Sequence, residues 1–485
     1  MNLSNQSKWV AAHRAGGRGG AGRLVCLAML LPCVALGACA RQSVSVQSPV
    51  ALPGQFSAGG QAVMPQKWWT AFGDSGLNSL VEEALKGNFS LRVAWDRLDQ
   101  SRAAAAASGA PLWPSLDGSA GASRTVQRSN VTPRTYTTAY SLGLAASYEV
   151  DLWGRVRSAY DAARLDASAG SEDVHAAAIT LTAELAGTWY QLIEGRGQLE
   201  LLGEQVATNE KYLELITLRF RRGQASATDV LQQRQLVEQT RGQRVLVESA
   251  LKVLEHQLSV LLGRSPGTMT PDVPEALPSL PPLPETGLPA EWVRRRPDVR
   301  AAELRVRAAD RRVGQAVADQ FPRLGLAVGA ETSAEQIRNL FDNWLASLAA
   351  NLAAPLFDGG RRRAEVERTR AVLSEQLNAY GHVVVTSLKE VEDALAQEAK
   401  QAEYVASLQK QLGLSRESMD QTLDNYTKGT VDFTRYLTTL LAHQRLQRTF
   451  LQAERQLVLF RIDLYRALAG SWALPRPVRA EMPGE

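Results

Sequence analysis

Asp151-Leu-Trp-Gly-Arg155 opens a run without proline that continues past Phe220-Arg-Arg-Gly223, and the chain later repeats this stretch. At an offset of 206 residues, Phe357-Asp-Gly-Gly-Arg361 opens a second such run, Tyr426-Thr-Lys-Gly429 answers Phe220–Gly223, and Tyr436-Leu437 answers Val230-Leu231. Upstream, Pro114 pairs with Pro322 and Leu91 with Val299 at an offset of 208. A unit this long exceeds the roughly 20–50 residues of a solenoid repeat, so it reads as a duplicated half-domain. As one helix, Arg155 to about Phe220 would be roughly 100 Å long, about three times the width of a hydrocarbon core.

Around these runs the helical pattern is regular. Leu77, Leu80, Val81, Ala84 and Leu85 share one face, and a second helix carries Leu91 to Ala107 before Pro111 and Pro114 stop it. The first long helix turns at Gly223 to Asp229, where Thr228 or Ser226 can cap a returning helix that ends near Leu262. A proline-rich stretch follows, and Pro297-Asp298 starts a further helix that stops at Phe321-Pro322. This helix is expected to stack end to end on the one ending at Leu262, beside the first long helix. In the second half, Arg361 to Tyr426 is long, Arg435 to Leu468 returns, and its stacking partner is expected to be Leu91–Ala107. The divisions are 1–38, a leader; 39–66, a tether; 67–286, the first repeat; 287–470, the second; and 471–485, a tail. Strand hairpins are expected at about 115–149 and 323–356, and helical hairpins at about 155–262 and 361–469.

The strands alternate in character. Tyr140, Leu142, Leu144, Ala146 and Tyr148 share a greasy face, opposite Ser141, Gly143, Ala145 and Ser147. Tyr140 and Tyr148 lie about 26 Å apart on an extended strand, close to the roughly 25 Å apolar band with aromatic girdles of transmembrane barrels. Leu324, Leu326 and Val328 alternate with Gly325, Ala327 and Gly329, and Trp344, Ala346, Leu348 and Leu352 share a face in the last strand. Only Ser115–Ser123 has faces that are hard to tell apart; a polar loop is expected from about Thr125 to Thr138. A soluble sandwich also alternates, but small residues on its second face would pack a poor core.

At the amino end, Arg14, Arg18 and Arg23 precede the apolar run Leu24–Leu36, too short to span a membrane, and Leu36-Gly37-Ala38-Cys39 is similar to a bacterial lipobox. The expectation is a secretory leader removed at Cys39, which then carries covalent lipid and is the one cysteine left; cleavage elsewhere at small residues is the competing reading. The formal charge of +4 resides in Lys8, Arg14, Arg18 and Arg23, so the rest of the chain is neutral. A neutral surface argues against a nucleic-acid partner. No later stretch is apolar for about 18 residues, so any membrane crossing must use strands.

Open sheet edges are costly in lipid, and four strands cannot close a barrel. Two copies would give a plugged barrel and three a twelve-stranded one with room for water.

Trp68-Trp69 with Phe72 and Asp74, Asp151-Leu-Trp-Gly-Arg155, Arg295-Arg-Pro-Asp-Val-Arg-Ala-Ala-Glu303 and Tyr465-Arg-Ala-Leu468 resemble the outer-membrane efflux protein family, the TolC-like channels. The resemblance is nearest to the lipid-anchored OprM-like and NodT-like branch of RND-type efflux systems, and it covers nearly the whole chain after Cys39. It implies a mainly α fold with a small β part, completed as a homotrimer with a twelve-strand β-barrel in outer-membrane lipid and a twelve-helix α-barrel through the periplasm. It also implies that helix tips at Gly223, Thr228, Gly429 and Val431 dock a periplasmic adaptor beneath an inner-membrane pump, and that Tyr140, Tyr148 and Trp344 form the membrane girdle. Relatives commonly close the periplasmic end through Leu-Asp-Ala-Gln-Arg, and the matching residues here are Leu437-Thr438-Thr439-Leu440-Leu441. Threonine cannot form the acidic ring that would attract cations, so Leu437, Thr438, Leu440 and Leu441 point to a more hydrophobic constriction; the alternative is that the leucines pack a helical seam.

Nothing indicates an enzyme, a cofactor beyond the lipid, or a metal. The histidines at 13, 175, 256, 382 and 443 lack ligand spacing, and Gly16–Gly22 lacks the Lys-Ser/Thr of a phosphate loop. Glu82-Glu83, Glu390, Glu392 and Asp393 read as solvated helix faces, and Arg294–Arg296 and Arg361–Arg363 as helix-end interactions. The chain is thus expected to be a passive exit duct for small molecules. The alternatives are a lipid-anchored periplasmic scaffold without a pore and a similar duct for protein export.

Overall fold

The computed structural model describes residues 50–131, 133–268 and 271–477. After a 3-10 turn at Trp68–Phe72 come α1 (Ser75–Gly87), α2 (Phe89–Gly109), β1 (Ser115–Gln127), β2 (Thr135–Val150), α3 (Arg155–Arg221) and α4 (Ala227–Leu261). The second half supplies α5 (Pro289–Val293), α6 (Pro297–Ala318), β3 (Arg323–Ala334), β4 (Trp344–Ala353), α7 (Arg361–Thr427) and α8 (Phe433–Leu468). The long helices α3 and α7 both have 67 residues, and their ends keep the 206-residue offset.

Each long helix starts in the same way. Gly154 and Gly360 take left-handed backbone, at φ 72° and 87°, and a carboxylate just upstream caps the exposed amides. Asp151 accepts from Val156 N at 3.1 Å and Arg157 N at 2.8 Å; Asp358 accepts from Gly360 N at 3.0 Å and Arg362 N at 3.3 Å. Arg155 makes a forked pair with Glu149, at 2.9 and 2.7 Å, while Trp153 stacks on Phe321 and donates to Pro322 O at 2.7 Å. The Asp-Leu-Trp-Gly-Arg motif therefore fixes the strand-to-helix turn and ties the first half to the second.

The stacking of the shorter helices differs from expectation. Asn88 caps α2 by accepting from Leu91 N at 2.9 Å, and its Nδ2 donates to Leu261 O at the end of α4, also at 2.9 Å. In the second half, Arg296 at the start of α6 donates from Nη1 to Ala467 O at the end of α8, at 3.0 Å. Thus α4 continues into α2 and α8 into α6, each within its own half. The lengths of the pieces allowed either pairing, and the abutting helix ends select this one. The columns run α2/α4, α3, α6/α8, α7, with neighbours packed along their lengths. The sheet follows the same order, β1-β2-β3-β4, all antiparallel.

At mid-height the core is aromatic. Trp68, Trp69 and Phe72 pack against Tyr190, Tyr465 and Trp472, and Asp74 both caps α1 and accepts from Trp189 Nε1 at 2.7 Å. The expected tether is extended as far as it is described, but it belongs to the body. Phe56 is buried on Trp292, Ser57 bonds Glu392, and Ala62 bridges to Pro284. The proline-rich stretch is held from the other side by Arg461, which pairs with Glu398 and donates to Pro282 O at 3.2 Å.

Candidate functional site

Strand register decides which side chains share a surface. Ala146 lies opposite Leu116 and Val328, Leu144 opposite Gly118 and Ala330, and Val328 opposite Leu348. Directly paired residues point to the same side, so the even-numbered residues of all four strands form one face. That face carries Leu116, Leu142, Leu144, Tyr148, Leu324, Leu326, Val328, Leu348 and Leu352, with Trp344 76% and Leu348 80% exposed. The odd face is small or polar and holds Asp117, Ser119, Ser141, Gly143, Gly329, Glu331, Ser347 and Asn351. β1, whose own sequence does not distinguish its faces, is assigned by its partner. The β1–β2 loop is shorter than expected because Arg124–Gln127 pair with Thr135–Thr138 and extend the ladder.

Tyr140 and Tyr148 lie on the apolar face at its two ends, and Trp344 pairs with Thr332, beside Leu142, near the Tyr140 end. Both outer strands, β1 and β4, leave an unpaired edge among the described residues. The outer columns are likewise unfinished: Leu246, Val253 and Val260 on α4 and Leu414 on α7 are exposed. Among the described residues no helix is long and apolar enough to cross a membrane.

At the opposite end, the two helix turns share one design. Gly223 and Gly429 have φ of 72° and 77°, and the next residues close the helix end through Gln224 N to Arg219 O at 2.8 Å and Thr430 N to Asn425 O at 3.0 Å. Ser226, not Thr228, caps α4, in a reciprocal box with Asp229, and Asp432 caps α8 through a single bond, accepting from Arg435 N at 2.8 Å. Thr228 is exposed in the first turn of α4, and Val431 packs against the tip core. That core joins Ile216, Val230, Tyr426, Phe433 and Tyr436, with Arg219 4.5 Å over the Tyr426 ring.

The four candidate gate residues separate here. Leu440, 2% exposed, belongs to the tip core and Leu437 packs against it, while Thr438 and Leu441 stay exposed. The correction concerns Leu440: helical spacing puts it with Phe433 and Tyr436 on the buried stripe. Thr438 donates to Thr434 O at 2.8 Å, so its hydroxyl is satisfied by its own helix. Cys39 lies outside the described residues.

A buried polar seam above the tip is an element that the sequence reading missed. Asn209 exchanges hydrogen bonds with Gln444 and bonds Thr240, Gln233 donates to Asn209 O at 2.8 Å, and Gln205 donates to Gln444 O and Gln447. Gln198, Gln205 and Asn209 recur at heptad-like spacing on α3, the only signal for it. His443 lies beside this seam. Burial first, then Arg416, hold its imidazole below the ordinary value, with Asp420 opposing.

Comparison with known proteins matches the same two halves. The family described as "Outer membrane efflux protein" matches residues 80–264 and 288–470. The pyoverdine export outer membrane protein OpmQ of Pseudomonas aeruginosa is 32% identical over 471 residues, covering 93% of this chain and 98% of its own. The toluene efflux pump outer membrane protein TtgI of Pseudomonas putida is 30% identical, covering 83% of this chain and 87% of its own. The solved structure of the outer-membrane channel OprN matches with a TM-score of 0.82 at 28% identity, over 88% of this chain and 98% of that one. With its duplicated helical hairpins and one four-stranded sheet, the chain belongs to the outer membrane efflux protein family, as an efflux channel component of the outer membrane that extends into the periplasm.

Proposed function

We propose that three copies of this chain close edge to edge into a passive exit duct for small molecules, with the even strand face in lipid and the odd face lining water. The observation that carries this reading is the register, which sorts every long apolar strand residue but Leu345 onto one face and the sheet's acids onto the other. A pore-free scaffold has no use for that sorting. Four strands with two open edges cannot rest in lipid, and a ring of three supplies twelve strands, enough for a water-filled interior. The exposed apolar residues of α4 and α7 would meet in the same closure.

In this reading the tips around Gly223, Thr228, Gly429 and Val431 dock a periplasmic adaptor, an inner-membrane pump supplies the energy, and lipid on Cys39 adds a second anchor. The small-molecule class is taken by analogy from relatives named for pyoverdine and toluene. The gate is a weakly polar constriction at Thr438 and Leu441. Planar-bilayer conductance measured together with subunit mass tests the duct: a conducting trimer is expected, and a non-conducting monomer in a detergent that preserves other trimers would overturn it. Thr438→Asp should make conductance more cation-selective and pH-dependent; unchanged selectivity would remove Thr438 from the constriction.

A further inference from the structure

We infer that the loop end of the β1–β2 hairpin is a binding site for a phosphate-bearing lipid of the outer leaflet, with Arg124 and Arg134 holding the phosphate and the apolar cleft beneath holding an acyl chain. Arg124 and Arg134 both place their guanidinium carbons 5.6 Å from the centroid of the Tyr136 ring. Two cations converge on one ring, and Arg128 adds a third charge to the hairpin. No aspartate or glutamate occurs from Ala122 to Tyr148, and among the described residues none of the three arginines pairs with a carboxylate. Such a cluster repels itself unless an anion bridges it, and arginine's planar fork suits phosphate oxygens.

The position selects the source of the phosphate. Arg124 is on the even, apolar face, paired with Thr138, two residues beyond Ala122, which lies opposite Tyr140. At about 3.3 Å per residue, its Cα is some 7 Å past the tyrosine girdle, where head groups begin. Farther along the same face, toward the helices, a cleft of about 570 Å³ is lined chiefly by Gly118, Ala120, Leu142, Leu144, Phe341 and Trp344. Ala120 is four residues, about 13 Å, from Arg124, a spacing that lets one amphiphile place its head on the arginines and its chain in the cleft. Of the acids at this end of the sheet, Glu331 borders the cleft from the odd face, where it pairs with Gly143 and Leu345, and Glu335 and Asp342 lie in the β3–β4 loop; among the described residues none of the three forms an ion pair with Arg124, Arg128 or Arg134.

The assignment rests on the even face being the lipid face, so the test separates the two. Titrate the purified detergent-solubilised oligomer with a synthetic multi-acyl disaccharide lipid carrying two phosphates and with its phosphate-free analogue, reading bound lipid by native mass spectrometry. The phosphorylated lipid should bind about tenfold or more tightly, as expected for charge-assisted hydrogen bonds. Arg124→Gln with Arg134→Gln should abolish the preference, Tyr136→Leu should weaken it, and Asp117→Asn on the odd face should leave it intact. Excess inorganic phosphate should not displace the lipid; if it does, the site is one for free phosphate. Equal binding of both lipids, or an unchanged preference in the double variant, overturns the inference. So does a double variant that loses its oligomer without lipid, since that gives the arginines to Glu335 and Asp342 in the β3–β4 loop of a neighbouring copy. Independently, a fluorophore on Leu348→Cys should be quenched by brominated acyl chains. Absence of quenching defeats the lipid-face reading itself, whereas quenching without a phosphate preference defeats only the arginine site.

Discussion

The two halves solve one problem with different chemistry where a returning helix meets a rising one. Asn88 and Arg296 are equivalent at the 208-residue offset, and the carbonyls they cap, Leu261 and Ala467, are equivalent at 206. In the first half Gly87 and Gly263 let the backbones touch: a Cβ on Gly87 would sit 2.6 Å from Leu262 O, and Gly263 holds φ 74°. A short carboxamide then reaches both helix ends. Arg295 and Ala469 take these glycine places in the second half, and a long guanidinium bridges the junction. Arg296 stacks over Trp292 and is neutralised by Asp298 at 2.6 Å and Glu390 at 2.8 Å. Duplication has kept the junction and its acceptor carbonyl, while the donor followed the local backbone spacing.

The largest effect is expected at Arg296. Arg296→Ala leaves two carboxylates and a helix end without their partner, which costs about 3 kcal/mol; part exposure of both acids puts this at the low end for a broken buried ion pair. Hydrogen exchange across Arg461–Leu468 should rise accordingly. Arg296→Asn sharpens the comparison: if both junctions had equal spacing it would rescue the contact, and we expect it to behave like alanine.

Asn88→Ala removes a helix cap and a cross-junction hydrogen bond, at a cost of about 1–2 kcal/mol, with faster exchange at the end of α4 and the start of α2. If Asn88→Ala proved as damaging as Arg296→Ala, the distinction between a neutral and an ionic junction would fail.

Acidification gives the smallest effect and separates both junctions from the tip. Burial keeps His443 below the ordinary 6.5, so the unfolded chain takes up the proton first. The stability it contributes is fully present above about 6.5 and is lost as pH falls through that value toward the folded one. His175, lowered first by burial and then by Arg300, has the same sign. Exchange at the tip should therefore rise with acid, and His443→Gln should remove that dependence while His175 and the junctions respond as before.

Much of the fold was legible along the chain. Proline-free runs framed by Gly154 and Gly223, and again by Gly360 and Gly429, delimit both long helices, because breakers and caps act within a few residues. The candidate gate residues were legible only in part: resemblance to relatives' Leu-Asp-Ala-Gln-Arg segment pointed to 437–441, and the tip core then withdrew Leu440 from the exposed side. The polar seam escaped notice because isolated glutamines on a long helix look like solvated positions until a second helix covers them.

The sequence by itself determined the duplication, the helix lengths, the strand alternation and the turn chemistry, since each follows from periodicity or from a backbone conformation that few residues adopt. Tertiary structure alone decided that α4 continues into α2, that β1 turns Leu116 to the apolar side, and that Arg124 and Arg134 meet over one ring. The first of these contacts joins residues 173 positions apart. No local pattern encodes which distant helix end or strand arrives as the partner, and that arrival gave each of these side chains its surroundings.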